Sequence, residues 1–267
     1  MDGSVGSVQL QSETKAGVKA SNRVVILGAL SAIAMATARI YAKEHAALVL
    51  VARNEDRLKA LAADLKARGA VQVHVAAMDL EAEAARAEQH LGDWSALMGG
   101  VDHVHVVYGY LGTQAGASAE PVELSRIVTS NFTSAVHWCE ATANLLRKQK
   151  HGSLVAVSSV AGDRGRQSNY AYGAAKGGIA LFVQGIAHSL AGTGARAVAV
   201  KPGFVDTPMT DGLKKGGAMW ATADQVGKAL RRAADRGGPI QYAPGKWRLV
   251  MAIIRSVPAF VFHKTKL

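Results

Sequence analysis

Cysteine is almost missing from this chain. Cys139 stands alone, which excludes an intrachain disulfide and any metal site built from several thiolates. A reducing, cytoplasmic setting fits that usage. Long apolar runs are also missing. No stretch reaches the ~18 residues of a membrane-spanning helix. Residues 1–21 have no apolar segment of the secretory-signal kind. They are rich in Ser, Gly, Gln and Lys and lack periodicity, so a disordered tail is expected there. Acid is in deficit, with 31 Lys and Arg against 20 Asp and Glu and a formal net charge of +11. Such a balance favours an anionic partner: a phosphorylated cofactor, an anionic lipid surface or nucleic acid. Nucleic acid is the weakest of the three, because zinc-finger spacing, a basic heptad helix and an aromatic ribonucleoprotein motif are all missing. Neither an internal repeat nor a linker divides the chain. A length of 267 residues suits one α/β domain with a proper core.

From Arg23 the pattern is regular. Apolar runs at Val24–Leu27, Leu48–Val51, Val71–Ala77, His103–Tyr108, Ser153–Ser158, Ala195–Val200 and Ile240–Tyr242 read as seven strands. Helical stretches alternate with them: Ser31 to Glu44, Asn54 to Arg68 with Asn54 as N-cap, Glu81 to Leu97, Pro121 to Lys150, Tyr172 to Leu190, and 222–236. Nearly continuous apolar strands between helices imply a parallel, doubly wound sheet covered on both faces, a Rossmann-type fold. His103 and His105 share one strand face, but no third ligand is in spacing, so they are expected to be strand-edge histidines and no metal site is predicted.

The richest chemistry lies between Ser158 and Lys176. Tyr172 and Lys176 are four residues apart and share one helix face. An ammonium there favours the phenolate, so the phenol would exchange a proton closer to neutral pH. Tyr170 has Ala174 at the same spacing and no such partner. A serine at the preceding strand end, Ser158 or Ser159, would hydrogen-bond a carbonyl or alkoxide oxygen. Proton transfer to a carbonyl oxygen still needs a hydride source. The first strand–turn–helix, Gly28-Ala29-Leu30-Ser31-Ala32-Ile33-Ala34, is the usual place for a dinucleotide pyrophosphate. At the end of the second strand the acidic residue that binds a ribose 2′-hydroxyl is replaced by Ala52, and Arg53 follows. A guanidinium there suits a 2′-phosphate. NADP(H) is therefore expected over NAD(H), with NAD(H) as the alternative.

These motifs, in this order, resemble the short-chain dehydrogenase/reductase family from Arg23 to Thr207. They are the Gly28 turn, Asp79-Leu80, Tyr108-Gly109-Tyr110-Leu111-Gly112, Asn131, Ser159, Tyr172, Lys176 and Pro202-Gly203-Phe204-Val205-Asp206-Thr207. Ser159 lies thirteen residues before Tyr172, the family spacing, which selects it over Ser158. Two departures stand out. Ala32 and Ala34 replace glycines of the turn, and Val107-Tyr108-Gly109-Tyr110 replaces the usual Asn-Asn-Ala-Gly.

The resemblance implies a set of roles. Tyr172 would donate the proton. Lys176 would bind the nicotinamide ribose and lower the phenol's pKa. Ser159 would hold the substrate oxygen, and Asn131 a relay water. Gly28, Leu30, Ser31, Ala32, Ile33, Arg53, Asp79, Leu80, Gly109, Pro202, Gly203, Val205 and Thr207 would line the cofactor. Tyr110, Gln114, Arg164, Asn169 and Met209 would rim the substrate cleft. It also implies a homodimer or homotetramer pairing through the 121–150 helix and the helix after Tyr172. The competing function is a catalytically silent dinucleotide-binding scaffold or regulatory protein.

Residues 109–112, 131–133 and 243–251, with Ile254-Arg255-Ser256-Val257-Pro258 and Phe262, further resemble the polyprenylphosphoryl 2-keto-pentose reductases. That likeness implies a lipid-linked carbonyl substrate. The catalytic domain is expected over 22–245, followed by a separate segment, 246–267. There Trp247, Leu249, Ile253, Phe260 and Phe262 alternate with Lys246, Arg248, Arg255, Lys264 and Lys266, and no acid occurs. Two readings stay open for it: peripheral contact with the inner membrane face, or completion of the fold.

Overall fold

The computed structural model describes residues 20–212 and 216–265. The tail expected over 1–21 falls almost wholly outside the described residues, as does Lys266. The chain runs β1 (Arg23–Leu27), α1 (Ala32–Lys43), β2 (Ala47–Ala52), α2 (Glu55–Ala67), β3 (Gln72–Ala77), α3 (Ala87–Met98) and β4 (His103–Val106). It continues through α4 (Gln114–Ala119), α5 (Pro121–Val128), α6 (Ser134–Gln149), β5 (Ser153–Val157) and α7 (Tyr170–Ser189). The last part holds β6 (Arg196–Pro202), β7 (Phe204–Asp206), β8 (Trp220–Thr222), α8 (Ala223–Arg236), β9 (Ile240–Ala243), α9 (Trp247–Ser256) and α10 (Ala259–Phe262).

Seven strands form one parallel sheet in the order β3-β2-β1-β4-β5-β6-β9. The order reverses direction between β1 and β4, and ligands of open α/β sheets bind beyond the strand ends at such a switch. The strands are buried because both faces are covered. One core layer joins α1, α2 and α8 to the sheet. The other joins α3, α6 and α7, with Trp94 and Trp138 stacked at 5.9 Å. β7 and β8 pair as a separate ribbon.

Several elements differ from the sequence reading. The helical stretch 121–150 is interrupted by a π-helical turn, Thr129–Thr133. α7 begins two residues early, at Tyr170. β4 is a central strand, so His103 and His105 are not strand-edge histidines. Both are buried. His105 Nε2 lies 2.9 Å from the Tyr41 hydroxyl, and His103 Nδ1 lies 2.8 Å from Ser153 Oγ.

The C-terminal segment is folded onto the domain. Trp247 and Met251 are buried with Val160. Arg164 Nη1 donates to the carbonyls of Ile254 and Val257, while its guanidinium lies 3.8 Å from the Phe262 ring centre. Removing the fully buried Met251 side chain leaves a cavity. Met251→Ala should cost about 2–5 kcal/mol, read as a urea midpoint shift, whereas Ile253→Ala on the exposed face should be near neutral.

Candidate active site

The turn after β1 is built to bring backbone close. Gly28 has φ of +83°, and a Cβ there would sit 2.6 Å from Tyr108 Cβ. Its N–H and that of Ala29 donate to Val51 O at 2.9 and 3.0 Å. Ser31 caps α1 through its side chain, accepting from Ala34 N at 3.2 Å. The positive end of α1 therefore faces the switch point, with no acid in its first turn. Ala34 is fully buried in the core, so an alanine methyl is accommodated where a glycine was expected.

At the ends of β2 and β3, Arg53 Nη1 stands 3.9 Å from Asp79 Oδ2, both side chains well exposed. Asp79 Oδ1 accepts from Glu81 N at 2.8 Å, and the Leu80 carbonyl accepts from Trp138 Nε1 at 2.8 Å. Two sequence-predicted cofactor positions thus share one edge of the cleft, with a guanidinium free to turn outward. Gly203 on the opposite side lies against the Trp247 indole with no room for a Cβ. Gly109 likewise leaves no room beside Asn131 and Lys176. At both positions the protein's own side chains fill the space a Cβ would need, so glycine keeps these walls of the site close-packed.

The four residues predicted for chemistry come together between β4, β5 and α7. Asn131 is buried on the π-helical turn. Its amide donates to Tyr110 O at 2.5 Å and Ile127 O at 2.8 Å, and its Oδ1 accepts from Tyr110 N at 3.2 Å. Its side chain is thus committed to backbone. Ser158 is also committed: its hydroxyl donates to Lys176 O at 2.7 Å. Ser159 Oγ accepts from Ala161 N at 3.1 Å, and its hydroxyl opposes the upward shift of the Tyr172 phenol. Tyr170, 52% exposed, reaches only Ser118, at 3.2 Å. Lys176 is buried, with Nζ donating to Val157 O at 3.0 Å and 5.9 Å from the Tyr172 ring centre.

Electrostatics departs from the expected lowering of the phenol by Lys176. Desolvation pushes Tyr172 up to about 12, and the group that opposes it is Ser159. The ammonium instead yields, and burial brings Lys176 down to about 8. Tyr172 is therefore protonated at neutral pH.

The predicted substrate residues divide. Gln114 Oε1 accepts from Ala171 N at 2.9 Å and so joins α4 to the start of α7. Tyr110 is bound through its hydroxyl to Glu123 and lies under Arg126, 4.0 Å from the ring centre. Asn169 precedes α7 with a buried, unpartnered Oδ1. Met209 is exposed on the turn after β7. Arg164 is the exception, because its guanidinium is turned away to α9 and α10. Arg166, two residues on and missing from the sequence reading, has a buried, unpartnered Nε and an Nη2 contact to Met251 Sδ at 3.7 Å. Only the pairing of Arg164 with carbonyls ninety residues away distinguishes the two. Asp163 is bound by Lys201 and by the Tyr242 hydroxyl, the latter at 2.7 Å.

This strand order, with a glycine turn at the switch point, is the frame of dinucleotide-dependent dehydrogenases. The model of one such family, "short chain dehydrogenase", matches residues 22–217. The chain belongs to this family of oxidoreductases, which depend on NAD(H) or NADP(H). It is 37% identical over 244 residues to an uncharacterized oxidoreductase of Streptomyces coelicolor, covering 90% of this chain and 94% of that one. An uncharacterized oxidoreductase of Mycobacterium tuberculosis is 36% identical, with 90% and 96% covered. A solved short chain dehydrogenase/reductase family protein superposes with a TM-score of 0.71 at 21% identity, over 84% of this chain and 96% of that one, a likeness of fold.

The unfolded chain holds the Lys176 proton up to about 10.5, whereas the folded protein releases it near 8. Between those values the unfolded state binds more protons, so stability rises with pH. Wild type should gain about 1–3 kcal/mol relative to Lys176→Met between pH 8 and 10. Urea unfolding of both proteins across that range measures it, and a flat difference would show an accessible ammonium.

Proposed function

We propose that the protein reduces a ketone, or oxidises the corresponding secondary alcohol, with Tyr172 as proton donor in the reductive direction. When bound, the dinucleotide supplies the hydride. Ser159 holds the substrate oxygen, and the Tyr172 phenol delivers its proton to that oxygen. Lys176 anchors the ribose hydroxyls, and Asn131 keeps the 109–110 backbone in place beside them. The observation that carries this reading is Tyr172 beside the buried Lys176, whose Nζ lies 5.9 Å from the phenol ring centre and donates to Val157 O at the end of β5. A phenol raised to about 12 is in the protonated form that a donor requires. A silent scaffold has no need of that arrangement.

The finer substrate reading is a polyprenylphosphoryl 2-keto-pentose. Its support is the resemblance of 109–112, 131–133 and the C-terminal segment, together with the Arg164 clamp that joins the Ser159–Tyr172 loop to 254–262. NADP(H) is preferred, supported by the exposed Arg53 at the β2 end, whose contact to Asp79 is long at 3.9 Å. Pairing of subunits through α5, α6 and α7 is supported by the exposed Val122 and Leu124 on α5 and Leu181 on α7.

Tyr172→Phe should lower NADPH-dependent turnover at least ~100-fold while leaving NADPH affinity nearly unchanged. Tyr170→Phe should be close to wild type. A panel of keto-sugars, steroids, acyl ketones and quinones, followed by NADPH absorbance, supplies the substrate for this comparison, and equal losses in the two variants would reject Tyr172. Arg53→Ala should weaken NADPH about tenfold or more and leave NADH nearly unaffected, as expected for one charge-assisted phosphate contact. Fluorescence titration of both dinucleotides reads this directly, and tighter NADH binding by the wild type would overturn the preference.

A further inference from the structure

We infer that the outer face of α9 and α10 is a docking surface for an anionic phospholipid bilayer. α9 has two apolar sides. One is buried, through Trp247 and Met251. The other carries Leu249 and Ile253, four residues apart on one stripe and 68% and 60% exposed. Beyond Pro258, Phe260 and Val261 are 72% and 43% exposed. Large apolar side chains concentrated on a single short segment mark an interaction site, not the scatter of an ordinary surface. The segment is not a loose end, because the Arg164 clamp and the buried Phe262 hold it in one position.

Charge selects the occupant. Every ionic residue from 246 onward is basic: Lys246, Arg248, Arg255, Lys264 and Lys266. Arg248 and Arg255 are seven apart, exposed, and so share one side of α9, between the buried face and the Leu249–Ile253 stripe. Two copies meeting through this face would bring identical cations together. An anionic headgroup layer meets both requirements, neutralising the basic flank while the apolar stripe enters the acyl boundary. No helix among the described residues is long and apolar enough to cross a membrane, so the contact is peripheral. α9 packs against the turn at 160–163 that follows Ser159. Docking would therefore turn the edge of the catalytic cleft toward the bilayer. The inference is independent of the catalytic reading, since it rests on exposure and charge alone.

The test is co-sedimentation of the full-length protein with phosphatidylcholine vesicles, with and without phosphatidylglycerol, at low and high salt. Binding is expected only with phosphatidylglycerol, and salt should weaken it. Arg248→Gln with Arg255→Gln should lower the partition coefficient roughly tenfold or more. Ile253→Asp with Phe260→Asp should do the same. Both double variants should keep the wild-type thermal midpoint and NADPH affinity, because neither pair touches the site. Equal sedimentation with neutral and anionic vesicles, no sedimentation at all, or unchanged binding by either double variant would overturn the inference. So would a fall in molar mass of the Ile253→Asp, Phe260→Asp protein by light scattering without vesicles, which would make this face a contact between copies.

Discussion

The site depends on one steric contact, the approach of the turn after β5 to the first turns of α7. A Cβ on Gly162 would lie 2.5 Å from Gly177 N, and one on Gly173 would lie 2.8 Å from Ala161 O. A Cβ on Gly177 would lie 2.9 Å from Gly162 O. Backbone therefore rests on backbone, an arrangement that close packing gives little freedom to relax. Helix geometry alone fixes Tyr172 relative to Lys176. Only this approach fixes Ser159 relative to both. The Ser158 hydroxyl on Lys176 O, at 2.7 Å, ties the same two segments once more.

Much of this was legible in the sequence because its causes are local. Alternating apolar runs and helical stretches predict the parallel sheet, and all seven expected strands form part of it. The spacing from Ser159 through Tyr172 to Lys176 is a property of one strand end and one helix. The reason for the small residues of α7 is less local. Gly173 and Gly177 face the protein's own 160–163 turn, and Gly178 faces the Phe132 ring. Their small size is already required within one chain. The π-helical turn at Thr129–Thr133 has no composition of its own, since the same residues are compatible with an α-helix. The three-residue strands β7 and β8 are stabilised by tertiary contact, with the Phe204 and Trp220 rings stacked at 5.4 Å. His103 and His105 read as strand-edge residues because sequence does not reveal strand order. Arg164 and Arg166 are indistinguishable until the C-terminal helices are in place.

Two buried lysines show how differently a charge is treated for architecture and for chemistry. Lys201, just before Pro202, is paired with Asp163, whose second oxygen accepts from the Tyr242 hydroxyl at 2.7 Å. That group joins the turn behind Ser159 to β6 and β9, and it has the paired, hydrogen-bonded form in which a buried ion pair is tolerated. Lys176 is as deeply buried, yet its ammonium donates to a neutral carbonyl, that of Val157 at 3.0 Å. Burial lowers its ammonium to about 8, because the folded state solvates the charge poorly. A methionine would fill similar space without that penalty. Retaining an uncompensated charge where packing gains nothing from it is what strained functional positions look like. It sets Lys176 apart from an ordinary helix lysine more strongly than its spacing from Tyr172 does. Spacing is shared by any surface Tyr–Lys pair on a helix, whereas burial of the ammonium is not.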